Sequence, residues 1–110
     1  MDMTLPAPIS TYLAAHREHD TTTAIAAFAA DATVTDEGRT HEGVDQIRAW
    51  MEKSSGEFTY TTSFVSASRD DAGGWDVVQH LEGDFPGGEV DLHFRFALEG
   101  DRIARLVIEP

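Results

Sequence analysis

The stretch WDVVQHLEGDFPGGEVDLHFRFAL, residues 75–98, decides the fold class. Trp75, Val77, Leu81 and Phe85 lie on one parity, and Gln79 shares it. After the break at Pro86-Gly87-Gly88, Leu92, Phe94 and Phe96 again alternate with polar residues. Successive side chains of a strand point to opposite faces, so each run reads as a strand with one apolar face. Proline and glycine between them suit a reversal of the chain. Gln79 then turns inward with the apolar set, while His93 and Arg95 turn outward.

The same alternation extends in both directions. Residues 57–69, with Phe58, Tyr60, Phe64 and Val65, and residues 102–109 read as further strands. Asp70-Asp71-Ala72-Gly73-Gly74 and Glu99-Gly100-Asp101 are the intervening turns, which predicts a four-stranded antiparallel meander. The first half has helical spacing instead. Ile9, Tyr12, Leu13 and His16 share one face of a helix over 6–19, entered through Pro6 and Pro8. Asp20 caps a second helix with Ala24, Ile25, Phe28 and Ala29 on its inner stripe. A short strand, Ala32 to Thr35, delivers Asp36, and residues 37–43 read as a polar loop. Val44, Ile47, Trp50 and Met51 mark a third helix that closes at Ser54-Ser55-Gly56. The expected architecture is α+β: one domain over 1–110, a curved antiparallel sheet wrapped by three N-terminal helices into a cone with an internal cavity.

Composition narrows the function. The chain has 110 residues, 41% of them hydrophobic, with 8 basic against 20 acidic side chains and a net charge of -12. Such a field repels phosphate backbones and anionic lipid, so neither nucleic acid nor a membrane is an expected partner. The absence of cysteine removes disulfides, thiolate metal sites and a cysteine nucleophile. Met1 to Pro8 carries no signal-peptide pattern, and the expected location is cytoplasmic. His16 and His19 have a usable helical spacing for metal ligation, but no further ligands converge with them, so no metal and no cofactor are expected.

Longer patterns add a family. Tyr12-Leu13-Ala14-Ala15, Asp20 and the run from Phe28 to Asp36 form one continuous match; Gly43, Ile47-Arg48 and Trp50 continue it, and His93-Phe94-Arg95-Phe96 and Gly100-Asp101-Arg102-Ile103 with Leu106 complete it. These motifs resemble the nuclear-transport-factor-2-like superfamily, the cystatin-like roll of ketosteroid isomerase and the SnoaL-like polyketide cyclases. The resemblance implies that Tyr12 donates a hydrogen bond to a developing enolate oxygen and that Asp36 shuttles the proton. The third member of the isomerase set, a protonated aspartate, falls on Leu92, and a second tyrosine falls on Met51. Asp91 is adjacent, but one residue of offset sends its side chain to the other face.

His16, one helical turn from Tyr12, stands in for an aliphatic residue of the isomerase. It either supplies the donor missing at Leu92, or partners Asp36 as an acid–base group, or is a solvated helix histidine. The expected cavity is lined by Tyr12, His16, Phe28, Asp36, Trp50, Trp75, Val77, Gln79, Leu81, Leu92, Phe94 and Phe96. That mostly apolar set suits a small hydrophobic ligand carrying a carbonyl or hydroxyl. The leading expectation is an isomerase or cyclase that moves a proton next to a carbonyl. The alternatives are a non-catalytic ligand-binding module and a dimerisation module. The resemblance also implies a homodimer through the outer sheet face.

Overall fold

The computed structural model describes residues 5–57, 59–69 and 73–110, with side chains described for all of these except 55–57. Phe58 and the turn residues Asp70, Asp71 and Ala72 lie outside the described residues.

Helix α1 spans Ala7–Arg17 and buries Ile9, Tyr12, Leu13 and Ala15. Pro8 sits in its first turn, where a missing N–H costs nothing. Asp20 caps the short α2, Thr21–Ala26, accepting from the backbone N–H of Thr23 at 3.2 Å and from its hydroxyl at 2.6 Å. Strand β1 covers Phe28–Asp36, β2 Arg39–Glu42, and α3 Gly43–Glu57. Strands β3 (Tyr60–Arg69), β4 (Trp75–Gly83), β5 (Glu89–Glu99) and β6 (Arg102–Glu109) follow.

The strands form one curved six-stranded sheet in the order β2-β1-β6-β5-β4-β3. The meander β3 to β6 is antiparallel throughout, whereas β1 runs parallel to β6. Register breaks at Phe64/Ser66 and Ala97/Leu98 mark bulges, which bend strands and increase twist. The architecture is the expected α+β roll with three helices. Its core gathers Tyr12, Phe28, Val34, Ile47, Val77, Phe94, Phe96, Ile103 and Leu106 between helices and sheet.

Two local expectations change. Phe28 and Ala29 belong to β1 rather than to the second helix. A six-residue helix carries little stability of its own, and strand pairing wins: Phe28 pairs with Ile103, whose N–H donates to the Ala27 carbonyl at 2.8 Å. The polar segment after Asp36 also contains a strand, because Glu37 and Gly38, with φ of 54° and 77°, close a two-residue hairpin between β1 and β2.

Gly83 has a packing role. A Cβ there would lie 2.6 Å from that of Tyr60 and would run into the Thr59 carbonyl oxygen. The first residues of β3 are held against this glycine by Asp84, whose N–H donates to the Thr59 carbonyl at 3.0 Å and whose carboxylate accepts from the Thr59 N–H at 2.8 Å.

The outer face carries polar pairs. His93 bonds Asp76 at 2.9 Å, Arg95 pairs with Glu109, and His80 bonds Asp91 at 2.6 Å and Glu82 at 3.2 Å. His93 and Arg95 thus turn away from Phe94 and Phe96, as the alternation requires. Among the described residues, no helix is long and apolar enough to cross a membrane.

Candidate functional site

Asp36 ends β1 and pairs in register with Ile108, which faces Phe94, which in turn faces Val77. In-register residues share a face, so Asp36 projects on the side that carries the aromatic core. Trp50 of α3 reaches it: the indole Nε1–H donates to Oδ2 at 3.0 Å. Oδ1 makes no side-chain hydrogen bond among the described residues. His41 of β2 lies beside the same indole, with ring centroids 6.0 Å apart.

Tyr12 is 1% exposed, packed edge-on against Phe28 and Phe96, and its hydroxyl has no hydrogen-bond partner. Burial pushes its phenol far above the ordinary range, and the neighbouring charges of Tyr60 and Asp36 push the same way. The group therefore remains a protonated donor at any working pH. Its ring stacks on His16 at 5.6 Å, nearly parallel at 6°, the contact that their helical spacing predicts.

His16 is held down to a pKa of about 4, first by burial and then by nearby His19. It is a neutral imidazole at neutral pH. Its Nε2 lies 3.3 Å from the Tyr60 hydroxyl, and its buried Nδ1 has no partner. Tyr60 itself is raised by burial and then by the charge of Asp36. Sequence reading placed Tyr60 only as a strand residue. The signal that could have found it was its shared strand parity with Thr62 and Phe64 at the start of β3.

Tyr12, His16, Trp50 and Tyr60 converge on one pocket. Tyr12, Ala15 and His16 of α1, His19 and Asp20 beyond it, Trp50 and Met51 of α3, and Tyr60 of β3 form most of its wall. The void is only ≈ 30 Å³, within a depression of ≈ 350 Å³ that includes open solvent. A void of that size holds a water molecule or a single inserted functional group. Of the residues expected along one cavity, Tyr12, His16 and Trp50 line this pocket, and Asp36 is bonded to Trp50 without being part of the lining. Phe28, Trp75, Val77, Phe94 and Phe96 are packed in the core, Leu92 packs against its edge, and Leu81 is buried. Gln79 lines a different pocket on the other flank of α1. Among the described residues, His80, Glu82 and Glu89 bring potential ligand atoms within 4.8 Å of one another on the outer rim. His80 already bonds carboxylates there, and exposed acidic groups of this kind are ordinary surface features.

Comparison with known proteins follows the same lines. The family model of the SnoaL-like domain matches residues 9–106. A Sinorhizobium meliloti protein, provisionally named a polyketide cyclase, is 33% identical over 96% of this chain and 95% of its own, with a TM-score of 0.89. A Catenulispora acidiphila protein of ketosteroid isomerase-like fold, solved with trimethylamine, is 20% identical over 97% of this chain and 87% of its own, with a TM-score of 0.83. A Mycobacterium tuberculosis protein, solved with estradiol-17beta-hemisuccinate, is 15% identical over 97% of this chain and 95% of its own, with a TM-score of 0.79. The last two share the fold. No curated protein matches the sequence.

Proposed function

Because the chain belongs to the SnoaL-like domain family, we propose that its pocket performs proton transfer next to the carbonyl of a small substrate, in the manner of an isomerase or cyclase. The observation that carries this reading is the buried, unpartnered Tyr12 hydroxyl in a pocket whose Trp50 wall holds the Asp36 carboxylate by one oxygen. A buried polar group left without a partner is costly unless a ligand completes it.

In this reading the substrate carbonyl oxygen accepts from Tyr12. Asp36, oriented by the Trp50 indole on Oδ2, takes a proton from the adjacent carbon through Oδ1. The electron pair of that C–H bond moves into the enolate, and its negative charge gathers on the oxygen facing Tyr12. The carboxylic acid then returns the proton to a second carbon, so no external oxidant or reductant is needed. When Tyr60 donates to Nε2, neutral His16 carries its proton on Nδ1, whose lack of a partner makes it a second donor in place of Leu92. The narrow void favours a substrate that inserts a carbonyl edge rather than a whole fused ring system.

The test is a screen of enones, β-keto esters and small cyclic ketones with wild type and Asp36→Asn side by side. Turnover in Asp36→Asn should fall by about a hundredfold or more with binding retained. Activity unchanged in Asp36→Asn removes the proposal, and saturable binding without turnover supports a binding module instead.

We also propose that two copies pair through the outer sheet face. Val65 is 52% exposed at the β3 bulge, and the ordered pairs of Asp76, His93, Arg95 and Glu109 give that face fixed polar partners. Light scattering at tens of micromolar should report a dimer; a monomer there refutes the pairing.

A further inference from the structure

Helix α1 has two working flanks. One carries Tyr12 and His16; the other carries Ser10, Leu13 and Arg17, which with Leu5, Phe64 and Gln79 line a second, solvent-open pocket of ≈ 230 Å³. That is considerably more room than the void beside Tyr12 offers.

The floor and rim of this second pocket are chemically distinct. Gln79, in the middle of β4, is 1% exposed, and its Nε2 has no hydrogen-bond partner. Its neighbours in register, Phe64 and Leu92, offer no acceptor from their side chains. Phe64 is 50% exposed on the wall, an apolar surface that ligand contact would cover. Arg17 is exposed at the end of α1 and makes no ion pair among the described residues. It is a local positive charge on a protein whose net charge is -12.

We propose that this pocket is a second ligand site, separate from that of Asp36, which takes a small aliphatic keto acid. The ketone oxygen accepts from Gln79 Nε2, the methylene chain lies along Leu5, Leu13 and Phe64, and the carboxylate meets Arg17. A neutral ketone suits the buried end because a carboxylate there would lose its hydration for a single neutral donor. The charged end stays at the rim, where water and a guanidinium both reach it.

The probes are levulinate, which has both oxygen functions, pentanoate, which lacks the ketone, and methyl propyl ketone, which lacks the carboxylate. Titrated into ¹⁵N-labelled protein, levulinate should shift the Gln79 side-chain amide and the Leu13 and Phe64 signals saturably. It should bind about tenfold more tightly than either truncated probe, the value of one good hydrogen bond or one rim ion pair. Gln79→Leu should reduce levulinate to the affinity of pentanoate, and Arg17→Gln should reduce it to that of the ketone. Gln79→Leu removes an unpartnered buried group, so its melting temperature should hold or rise; Gln79→Met, of similar length, repeats the test if it does not fold. Asp36→Asn should bind levulinate as wild type does, which keeps this site independent of the proposed chemistry. Shifts confined to Tyr12, His16 and Trp50, no saturation, or undiminished binding by folded Gln79→Leu or Gln79→Met would each overturn the proposal.

Discussion

The indole of Trp50 donates to Asp36 Oδ2 at 3.0 Å, tying the third helix to the end of the first strand at the residue on which the proposed chemistry turns. Trp50→Phe keeps most of the packing and removes that donor. In the proposed reaction, turnover should fall roughly tenfold with KM little changed, because the base loses orientation rather than the substrate its contacts. Stability should fall by about 1 kcal/mol. Steady-state kinetics and chemical denaturation on the same preparation check both.

Tyr12→Phe should separate function from stability. The hydroxyl is buried and unpartnered, so deleting it should leave stability unchanged or raise it by about 1 kcal/mol. Turnover on any substrate found should fall by roughly tenfold to a hundredfold, the worth of one oxyanion donor among several. A destabilised variant would mean that the hydroxyl is satisfied by an internal water.

His16 predicts the acid limb of the stability curve. Its folded pKa of about 4 lies below the ordinary 6.5, so between them the unfolded chain binds the extra proton. Stability from this residue is fully present above pH 6.5 and is lost as pH falls toward about 4. The total loss should be on the order of 3 kcal/mol. His16→Phe should flatten this limb in urea titrations from neutral pH downward, leaving the contributions of the carboxylates and the opposing one of His80, whose pKa its Asp91 and Glu82 partners raise.

Gly83→Ala should reach the pocket indirectly. The added methyl meets the Thr59 carbonyl and the Tyr60 Cβ, so the start of β3 must move. A cost of about 2 kcal/mol is expected from such overpacking. If the displaced Tyr60 no longer reaches His16 Nε2, the imidazole resonance should move as well. NMR of the His16 ring reads this directly, and an unchanged ring with lost stability would limit the role of Gly83 to packing.

The strands of the second half were legible because their alternation is long and their turns are rich in glycine. Residues 102–109 were read with the bounds that the structure has, and β4 and β5 within two residues. The hairpin after Asp36 was not, since its four-residue β2 has polar side chains and is defined by pairing with β1. Of the candidate site, the Tyr12–His16 neighbourhood follows from helix periodicity alone. The Trp50–Asp36 bond does not, because it depends on how α3 settles on the sheet. Strand parity says that Gln79 points inward, but it carries no information about the side of α1 on which an inward residue emerges. One expected cavity therefore became two pockets.

The parallel pairing of β1 with β6 sets an order of events in synthesis. Asp36 leaves the ribosome early, yet its partner in register is Ile108, far later in the chain. Until that segment emerges, β1 has only β2 beside it, and a lone hairpin is marginal in water. A nascent chain thus carries Tyr12, Asp36 and Trp50 with the neighbouring strand still missing until β6 has been made. Because β6 lies between β1 and β5, the two halves of the sheet, and with them Asp36 and the meander, are joined only once β6 is in place.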